Sequence, residues 1–194
     1  MDNDRRLTGQ IRSCGMDFQT RDSDSGPVIE GYFSVFNSDY PLWEGATEQV
    51  APGAFRETLG GDIRALINHD TRLVLGRTTS GTLELREDDK GLFGRIAVNE
   101  EDTDAMNLYA RVQRGDVSQC SFGFDILDEE YIERTDGGAM WIIRKVRLHE
   151  VSVVTFPAYV ETSVNARKAE MAAIQQRKLE AWKIKMKENI TKWH

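Results

Sequence analysis

The chain has 194 residues, of which 40% are hydrophobic and 29% charged, as is typical of a globular protein with room for one domain and an appendage. No apolar run approaches the roughly 18 residues that cross a bilayer, and the polar N-terminus lacks the apolar core of a secretory signal, so we expect no membrane partner and action in a cytoplasm. The two cysteines lie far apart and only three histidines are present, which predicts neither a disulfide framework nor a metal site.

The net charge of −7 is unevenly distributed along the chain. Residues 1–166 carry 17 basic and 29 acidic side chains, a net charge of −12, whereas residues 167–194 carry 8 and 3, a net charge of +5. Nucleic-acid binding requires a basic patch on the fold, so the acidic body predicts no nucleic-acid partner. The basic tail favours an acidic partner, and the body itself is one candidate.

The first half of the chain has the pattern of a β-rich domain. Residues 1–27 are polar, and the run at 21–27 predicts a loop. Proline in the first turn and two glycines at the end predict a short helix over residues 52–59. Strands are predicted at residues 28–36, 63–67, 73–76, 82–86 and 92–98, the last two joined by a turn at 88–91.

The second half alternates helix and strand patterns. Residues 102–114 predict a helix, because its apolar side chains fall at helical spacing and Gly115 follows it. Strands are predicted at residues 117–126 and 140–148 and in the apolar run 151–156, and residues 167–194 predict an amphipathic helix. The fold class is therefore mainly β with helices (α+β), a small barrel or sandwich, in three segments: 1–27, 28–166 and 167–194.

His69 is the leading candidate for a catalytic base. It follows a predicted strand and stands between Asn68 and Asp70, where an imidazole can reach both solvent and a neighbouring strand. His194 ends the sequence, which makes it a poor candidate. The alternative interpretation of His69 is an exposed histidine in a turn.

Ser121 interrupts a strand in which a valine would be expected. Period-two alternation places Cys120, Phe122 and Phe124 on the core face of this strand, and Ser121 and Gly123 on the other face. The glycine would leave space beside Ser121 for another backbone, such as a substrate strand. The alternative is a solvated serine on the outside of a sheet, and Ser118 is a weaker nucleophile candidate.

Glu150 brings a carboxylate into an otherwise apolar strand, so it should have a partner. A salt bridge to an arginine and the orientation of a histidine are both open. The sequence contains no Gly-x-Ser-x-Gly elbow, phosphate loop, dinucleotide fingerprint or metal-ligand spacing, so no cofactor is predicted.

Taken in order, several short motifs resemble the prohead maturation proteases of tailed bacteriophages. The resemblance runs from about residue 31 to residue 165. The motifs are Val50-Ala51-Pro52-Gly53-Ala54-Phe55, Asn68-His69-Asp70, Leu75-Gly76-Arg77-Thr78, Asp89-Lys90-Gly91-Leu92, Ser121-Phe122-Gly123-Phe124, Glu150-Val151-Ser152-Val153-Val154 and Pro157-Ala158.

The resemblance implies a serine endopeptidase of the herpesvirus assemblin type, with a small antiparallel β-barrel ringed by helices. Its implied residues are Ser121 as nucleophile, His69 as general base, and Glu150 as the third member. Assemblin relatives use a second histidine in that third role, so His149 is the alternative to Glu150, and adjacent strand residues face opposite ways. We favour Glu150, because its charge would stabilise the imidazolium that forms on His69.

The resemblance also implies partners and a place of action. The substrate would be the major capsid protein or a scaffolding protein, and the protease itself, inside the procapsid as it assembles in the host cytoplasm. The helix over residues 167–194 would then be a removable or docking segment, or a helix packed on the body. Assemblin relatives pair up, which leaves a homo-oligomer open.

Two other functions compete with this interpretation. The first is a β-barrel that lost its activity and serves as a capsid-assembly or scaffold-interaction module. The second is a cysteine enzyme that uses Cys120, although a thiol facing the core is usually inert.

Overall fold

The computed structural model describes residues 10–14, 18–23, 26–156 and 161–191, and within them it contains eleven β-strands and two α-helices. The chain divides into two compact units, Met1–Tyr159 and Val160–His194. In the first unit the elements are β1 (Gln10–Cys14), β2 (Gln19–Ser23), β3 (Gly26–Val35), β4 (Tyr40–Trp43), β5 (Ala46–Val50), β6 (Arg64–Ile67), β7 (Asp70–Arg77), β8 (Leu83–Glu87), β9 (Gly91–Ala97), α1 (Thr103–Arg114), β10 (Gln119–Glu133) and β11 (Ala139–Val154).

The larger sheet is built around the long hairpin of β10 and β11. β1 pairs with the outer edge of β10, and two shorter strands share the other edge of β11. β5 runs parallel to the first part of β11, and β6 runs parallel to its last part, with Ser152 opposite Leu66. Since β6 leads directly into the turn at Asn68 and His69, this pairing sets the candidate histidine beside the end of β11.

The smaller sheet has four antiparallel strands in the order β2-β3-β9-β8. One buried apolar cluster takes side chains from both sheets and from α1. Phe33 and Ile96 come from the smaller sheet, Phe122 and Val151 from the larger one, and Leu108 from the helix. Burial of a side chain of this size contributes about 1.5–3 kcal/mol, so this shared core holds the two sheets together.

The mainly β composition with two helices confirms the predicted α+β class. The hydrogen-bonded ladders of the described strands form two sheets and no closed barrel, so the barrel stays a prediction. Neither helix, over the residues described, has the length and apolar character needed to cross a membrane.

The helix predicted over residues 52–59 is wrong. That segment is a series of turns with hydrogen bonds from residue i+3 to residue i, such as Thr58 N to Phe55 O at 2.9 Å. Gly53 has a φ of 92°, which a helix excludes. The Glu87 carboxylate accepts hydrogen bonds from the amides of Gly53 and Phe55, which pins the turns to β8.

The helix α1 agrees with its prediction within one residue. The Asp102 side chain accepts hydrogen bonds from the amides of Asp104 and Ala105, so Asp102 caps the helix and Thr103 begins it. Gly115 ends it in the left-handed conformation, with a φ of 85°.

Four strands lie where the sequence predicted loops or made no prediction: β1, β2, β4 and β5. They are short, and polar side chains dominate β1 and β2, so their own pattern is weak. β1 and β5 pair with β10 and β11, far along the chain, whereas β2 and β4 each pair with the strand that directly follows, β3 and β5.

The second unit contains α2 (Glu161–Thr191), which confirms a helix in the tail. Residues 192–194, including His194, lie outside the described residues, as do Pro157 and Ala158. Leu179, Trp182 and Met186 share one face by their spacing, but Ile184 lies on the opposite side and all four are exposed. The apolar side chains of α2 are therefore not confined to one face.

Candidate active site

The turn that carries His69 is a two-residue hairpin loop between β6 and β7, closed by the pairing of Ile67 with Asp70. Asn68 and His69 both adopt left-handed conformations, with φ values of 50° and 60°. That conformation matches the twist of a tight hairpin, but it costs a non-glycine residue about 1–3 kcal/mol. Two hydrogen bonds to β11 and its end offset this strain: Asn68 N donates to Val153 O, and Thr155 N donates to Asn68 Oδ1.

A β-bulge at His149 turns Glu150 towards that loop. Gly123 of β10 pairs with Glu150, but the next residue, Phe124, pairs with Leu148, so His149 has no partner across the ladder. The extra residue shifts the alternation by one, so that Leu148 and Val151 both face the core. Glu150 consequently points away from the core, on the same face as Ser152 and Ser121.

His69 and Glu150 are in direct contact. His69 Nδ1 lies 2.7 Å from Glu150 Oε1, and the two side chains are only 21% and 15% exposed. His149 makes a different pair, with its Nε2 at 2.9 Å from Asp125 Oδ2. Of the two residues considered as third member, the structure therefore brings Glu150 to His69 and leaves His149 elsewhere.

Asp70, the other acid next to His69 in sequence, is bound to a different partner. The side chain and then the backbone amide of Arg72 donate hydrogen bonds to Asp70, which lowers the pKa of its carboxyl to about 2. Asp70 is thus a carboxylate at any ordinary pH, and its charge is directed to Arg72.

Ser152 adds two hydrogen bonds to the His69–Glu150 pair. Its Oγ lies 2.6 Å from Glu150 Oε2 and 3.3 Å from the backbone nitrogen of His69. Ser152 is fully buried. Its role was not predicted from the sequence; the signal available there is a serine two residues after an acid, with a valine on each side of it.

Ser121 lies directly opposite Ser152 in the ladder between β10 and β11, on the same face. It is fully buried, so the alternative interpretation of Ser121 as a solvated serine on the outside of a sheet is wrong. β1 covers the outer edge of β10 here, and the Ser121 hydroxyl donates a hydrogen bond to Arg12 O at 2.8 Å. Ser121 therefore does not hydrogen-bond to His69 in this structure. The weaker candidate, Ser118, is exposed and precedes β10.

Gly123 makes room for the carboxylate rather than for a second backbone. A Cβ atom at this position would lie 2.5 Å from Glu150 Oε1. The space predicted for a substrate strand is thus taken by the Glu150 side chain, and any larger residue would displace it.

The remaining ring nitrogen of His69 is poised to take a proton. A carboxylate only accepts hydrogen bonds, so Nδ1 carries the proton shared with Glu150 and the neutral ring leaves Nε2 as its basic atom. His69 Nε2 is buried and has no hydrogen-bond partner among the described residues. A buried polar atom without a partner costs about 1–3 kcal/mol, so it needs an explanation, and a role in proton transfer is one such explanation.

Cys120 lies on the core face, as the alternation predicted. Its side chain is fully buried, and its Sγ lies 3.1 Å from Tyr32 O. This burial argues against a nucleophilic thiol. No cluster of three or more metal-ligating side chains is present within the described parts of the chain.

Comparison with known proteins gives one family and two relatives. Residues 15–177 match the family described as caudovirus prohead serine protease. The prohead protease of Enterobacteria phage HK97 is 32% identical over 167 residues, which cover 84% of this chain and 69% of the relative. The prohead protease of Escherichia phage T5 is 31% identical over 104 residues, 54% of this chain and 45% of the relative. No solved structure matches the chain.

Proposed function

The chain belongs to the caudovirus prohead serine protease family, and we propose that Ser121, His69 and Glu150 are the residues that carry out its proteolysis. It is a serine protease that acts in the maturation of phage procapsids. The observation that carries the assignment of residues is the contact of His69 with Glu150 at 2.7 Å, together with the other ring nitrogen of His69, which is buried and has no hydrogen-bond partner in the described part of the chain.

The three side chains have the chemistry of a catalytic triad. Ser121 Oγ attacks the carbonyl carbon of the scissile peptide bond while His69 Nε2 takes the hydroxyl proton, and His69 then gives this proton to the leaving amine. Water hydrolyses the resulting acyl-enzyme by the same route. Glu150 stays ionised, holds the Nδ1–H tautomer, and stabilises the positive charge that the ring acquires.

For catalysis, Ser121 must exchange its hydrogen bond to Arg12 O for one to His69. Ser121 faces Ser152 across the ladder, and Ser152 contacts the backbone of His69, so Ser121 lies next to the pair of His69 and Glu150. A rotation about χ1 of Ser121 breaks the hydrogen bond to Arg12 O and turns the hydroxyl towards His69. Loss of one neutral hydrogen bond costs only about 0.5–1.5 kcal/mol, so a bound substrate can offset it.

For the substrate we propose the capsid or scaffolding protein of the phage, and the protease itself. This rests on the HK97 and T5 relatives, which are prohead proteases. The site of action is then the interior of the procapsid within the host cell. We propose further that the two sheets correspond to the barrel of the assemblin type, and that homo-oligomers form as they do among the assemblin relatives.

The test is cleavage of the phage's purified capsid and scaffolding proteins by the full-length chain. Wild-type protein should produce defined fragments, while Ser121→Ala and His69→Ala should produce none. The fluorophosphonate probe for serine nucleophiles should label the wild type and not Ser121→Ala. Ser118→Ala, an exposed serine near the same strand, is the matched control and should cleave at the wild-type rate. Full cleavage by Ser121→Ala would refute the assignment, and the absence of both cleavage and labelling in the wild type would favour an inactive assembly module.

A further inference from the structure

Ser152 completes a closed ring of hydrogen bonds around the catalytic acid. Starting from His69, the backbone N–H reaches Ser152 Oγ at 3.3 Å, and Ser152 Oγ reaches Glu150 Oε2 at 2.6 Å. Glu150 Oε1 then returns to His69 Nδ1 at 2.7 Å. We propose that Ser152 is a positioning residue of the protease, which fixes the Glu150 carboxylate and thereby the tautomer and orientation of His69. This inference rests on the proposed roles of His69 and Glu150.

The directions of these hydrogen bonds follow from the chemistry of the groups. A backbone N–H only donates, so Ser152 Oγ accepts from His69. The serine hydroxyl has one proton, and a carboxylate only accepts, so that proton goes to Glu150. Each carboxylate oxygen of Glu150 therefore has a donor, and the plane of the carboxylate is fixed from both sides.

Packing alone does not explain a serine at this position. Ser152 is fully buried, and its neighbours in the strand, Val151 and Val153, are fully buried too. Valine or alanine would fill a site between them without a hydroxyl to satisfy. The Ser152 hydroxyl instead contacts both the Glu150 carboxylate and the backbone nitrogen of His69.

Ser152 does not fit the role of nucleophile. Its proton is directed to Glu150, and its Oγ is not a partner of His69 Nε2, which has none among the described residues. Its effect on the reaction therefore passes through Glu150 and His69. Groups that orient a catalytic ligand or base in this way typically change activity by about 10- to 100-fold when they are removed.

The experiment uses the full chain with Ser152→Ala, which removes the hydroxyl, and Ser152→Cys, which replaces it with a thiol that is a weaker donor. Ser34→Ala is the matched control, because Ser34 is a buried strand serine in the smaller sheet. Cleavage kinetics give kcat and KM. Nitrogen-15 NMR of the imidazole rings reports the tautomer of His69, with assignments checked in the variants His149→Asn and His194→Asn.

We expect Ser152→Ala to lower kcat by about 10- to 100-fold with KM within about twofold, and Ser152→Cys to give a smaller loss. The neutral His69 ring should change from a single Nδ1–H tautomer to a mixture, whereas Ser34→Ala should leave both readouts at their wild-type values. A wild-type tautomer and a kcat within twofold in both Ser152 variants would overturn the inference. The NMR result stands apart from the choice of Ser121 as nucleophile: full activity in Ser121→Ala would refute the proposed function even if the tautomer shifted as expected. Because Ser152→Cys nearly conserves the volume, it serves as the test if Ser152→Ala does not fold.

Discussion

Replacement of Glu150 by glutamine tests whether the negative charge of Glu150 stabilises the protonated ring of His69. Glutamine has nearly the same shape as glutamate, and its carbonyl oxygen can still accept a hydrogen bond from His69 Nδ1. The change removes the negative charge that faces the ring when the ring becomes protonated. The variant therefore separates the charge of Glu150 from its space-filling role.

The expected magnitude follows from the separation and burial of the pair. Nδ1 and Oε1 are 2.7 Å apart, and 79% or more of each side chain is shielded from solvent, since the exposed fractions are 21% and 15%. Opposite unit charges about 4 Å apart interact by about 4 kcal/mol at an effective dielectric constant of 20. Allowing for the hydrogen bond that glutamine retains, we expect a loss of about 3 kcal/mol in the transition state. At about 1.4 kcal/mol for each tenfold change, kcat should fall by about 100- to 200-fold.

Steady-state cleavage of the capsid protein gives the readout. The charge acts only when the ring is protonated, so kcat should fall while KM stays within about twofold. Asp125→Asn is the matched control, because Asp125 forms the other His–acid pair in this sheet, with His149. Asp125→Asn should keep kcat within about twofold. A kcat within threefold of the wild type for Glu150→Gln, or a larger loss of kcat for Asp125→Asn than for Glu150→Gln, would show that the Glu150 charge does not stabilise the protonated His69 ring.

Three further predictions concern the surroundings of the site. Gly123→Ala places a methyl group 2.5 Å from Glu150 Oε1. We therefore expect kcat to fall at least about tenfold and the free energy of unfolding, measured with urea, to fall by roughly 1–3 kcal/mol. Wild-type values in both assays would contradict this. In the wild type, Arg12 Nη2 lies 2.8 Å from Glu48 Oε2, and both side chains are buried. Arg12→Met removes the guanidinium from this ion pair and should lower the free energy of unfolding by about 3–5 kcal/mol. A loss below about 1 kcal/mol would argue against the ion pair. Iodoacetamide should leave the buried Cys120 unmodified in the native protein, as peptide mapping by mass spectrometry would show, and should leave the activity unchanged. Rapid modification of Cys120 in the native protein, with loss of activity, would support the cysteine mechanism instead.

The sequence predicts the faces of β10 well because its alternation is regular. Cys120, Phe122 and Phe124 lie in the core as expected. The burial of Ser121 was not predictable, since it depends on β1, a polar strand whose own pattern is weak and which pairs with β10 from more than 100 residues away. The alternation of a strand predicts on which face of the sheet a side chain lies, but not which other part of the chain covers that face.

The bulge at His149 explains why β11 was predicted as two strands and why Glu150 was nevertheless recognised as a candidate residue. The extra residue breaks the alternation, so the pattern predicts two strands where the structure has one. The same break leaves a charged residue inside an apolar run, and this is the signal that made Glu150 a candidate. The positive φ angles of Asn68 and His69 had only a weak signal, because asparagine and histidine adopt this conformation more often than most non-glycine residues but still rarely.

The structure of the fluorophosphonate adduct locates the nucleophile and the base in one measurement. We expect a phosphonyl group bonded to Ser121 Oγ, the contact between Ser121 and Arg12 O broken, and His69 Nε2 within about 3.2 Å of Ser121 Oγ or a phosphonyl oxygen. A phosphonyl group on any other residue, or an adduct on Ser121 with His69 turned away from it, would rule out Ser121 and His69 as nucleophile and base.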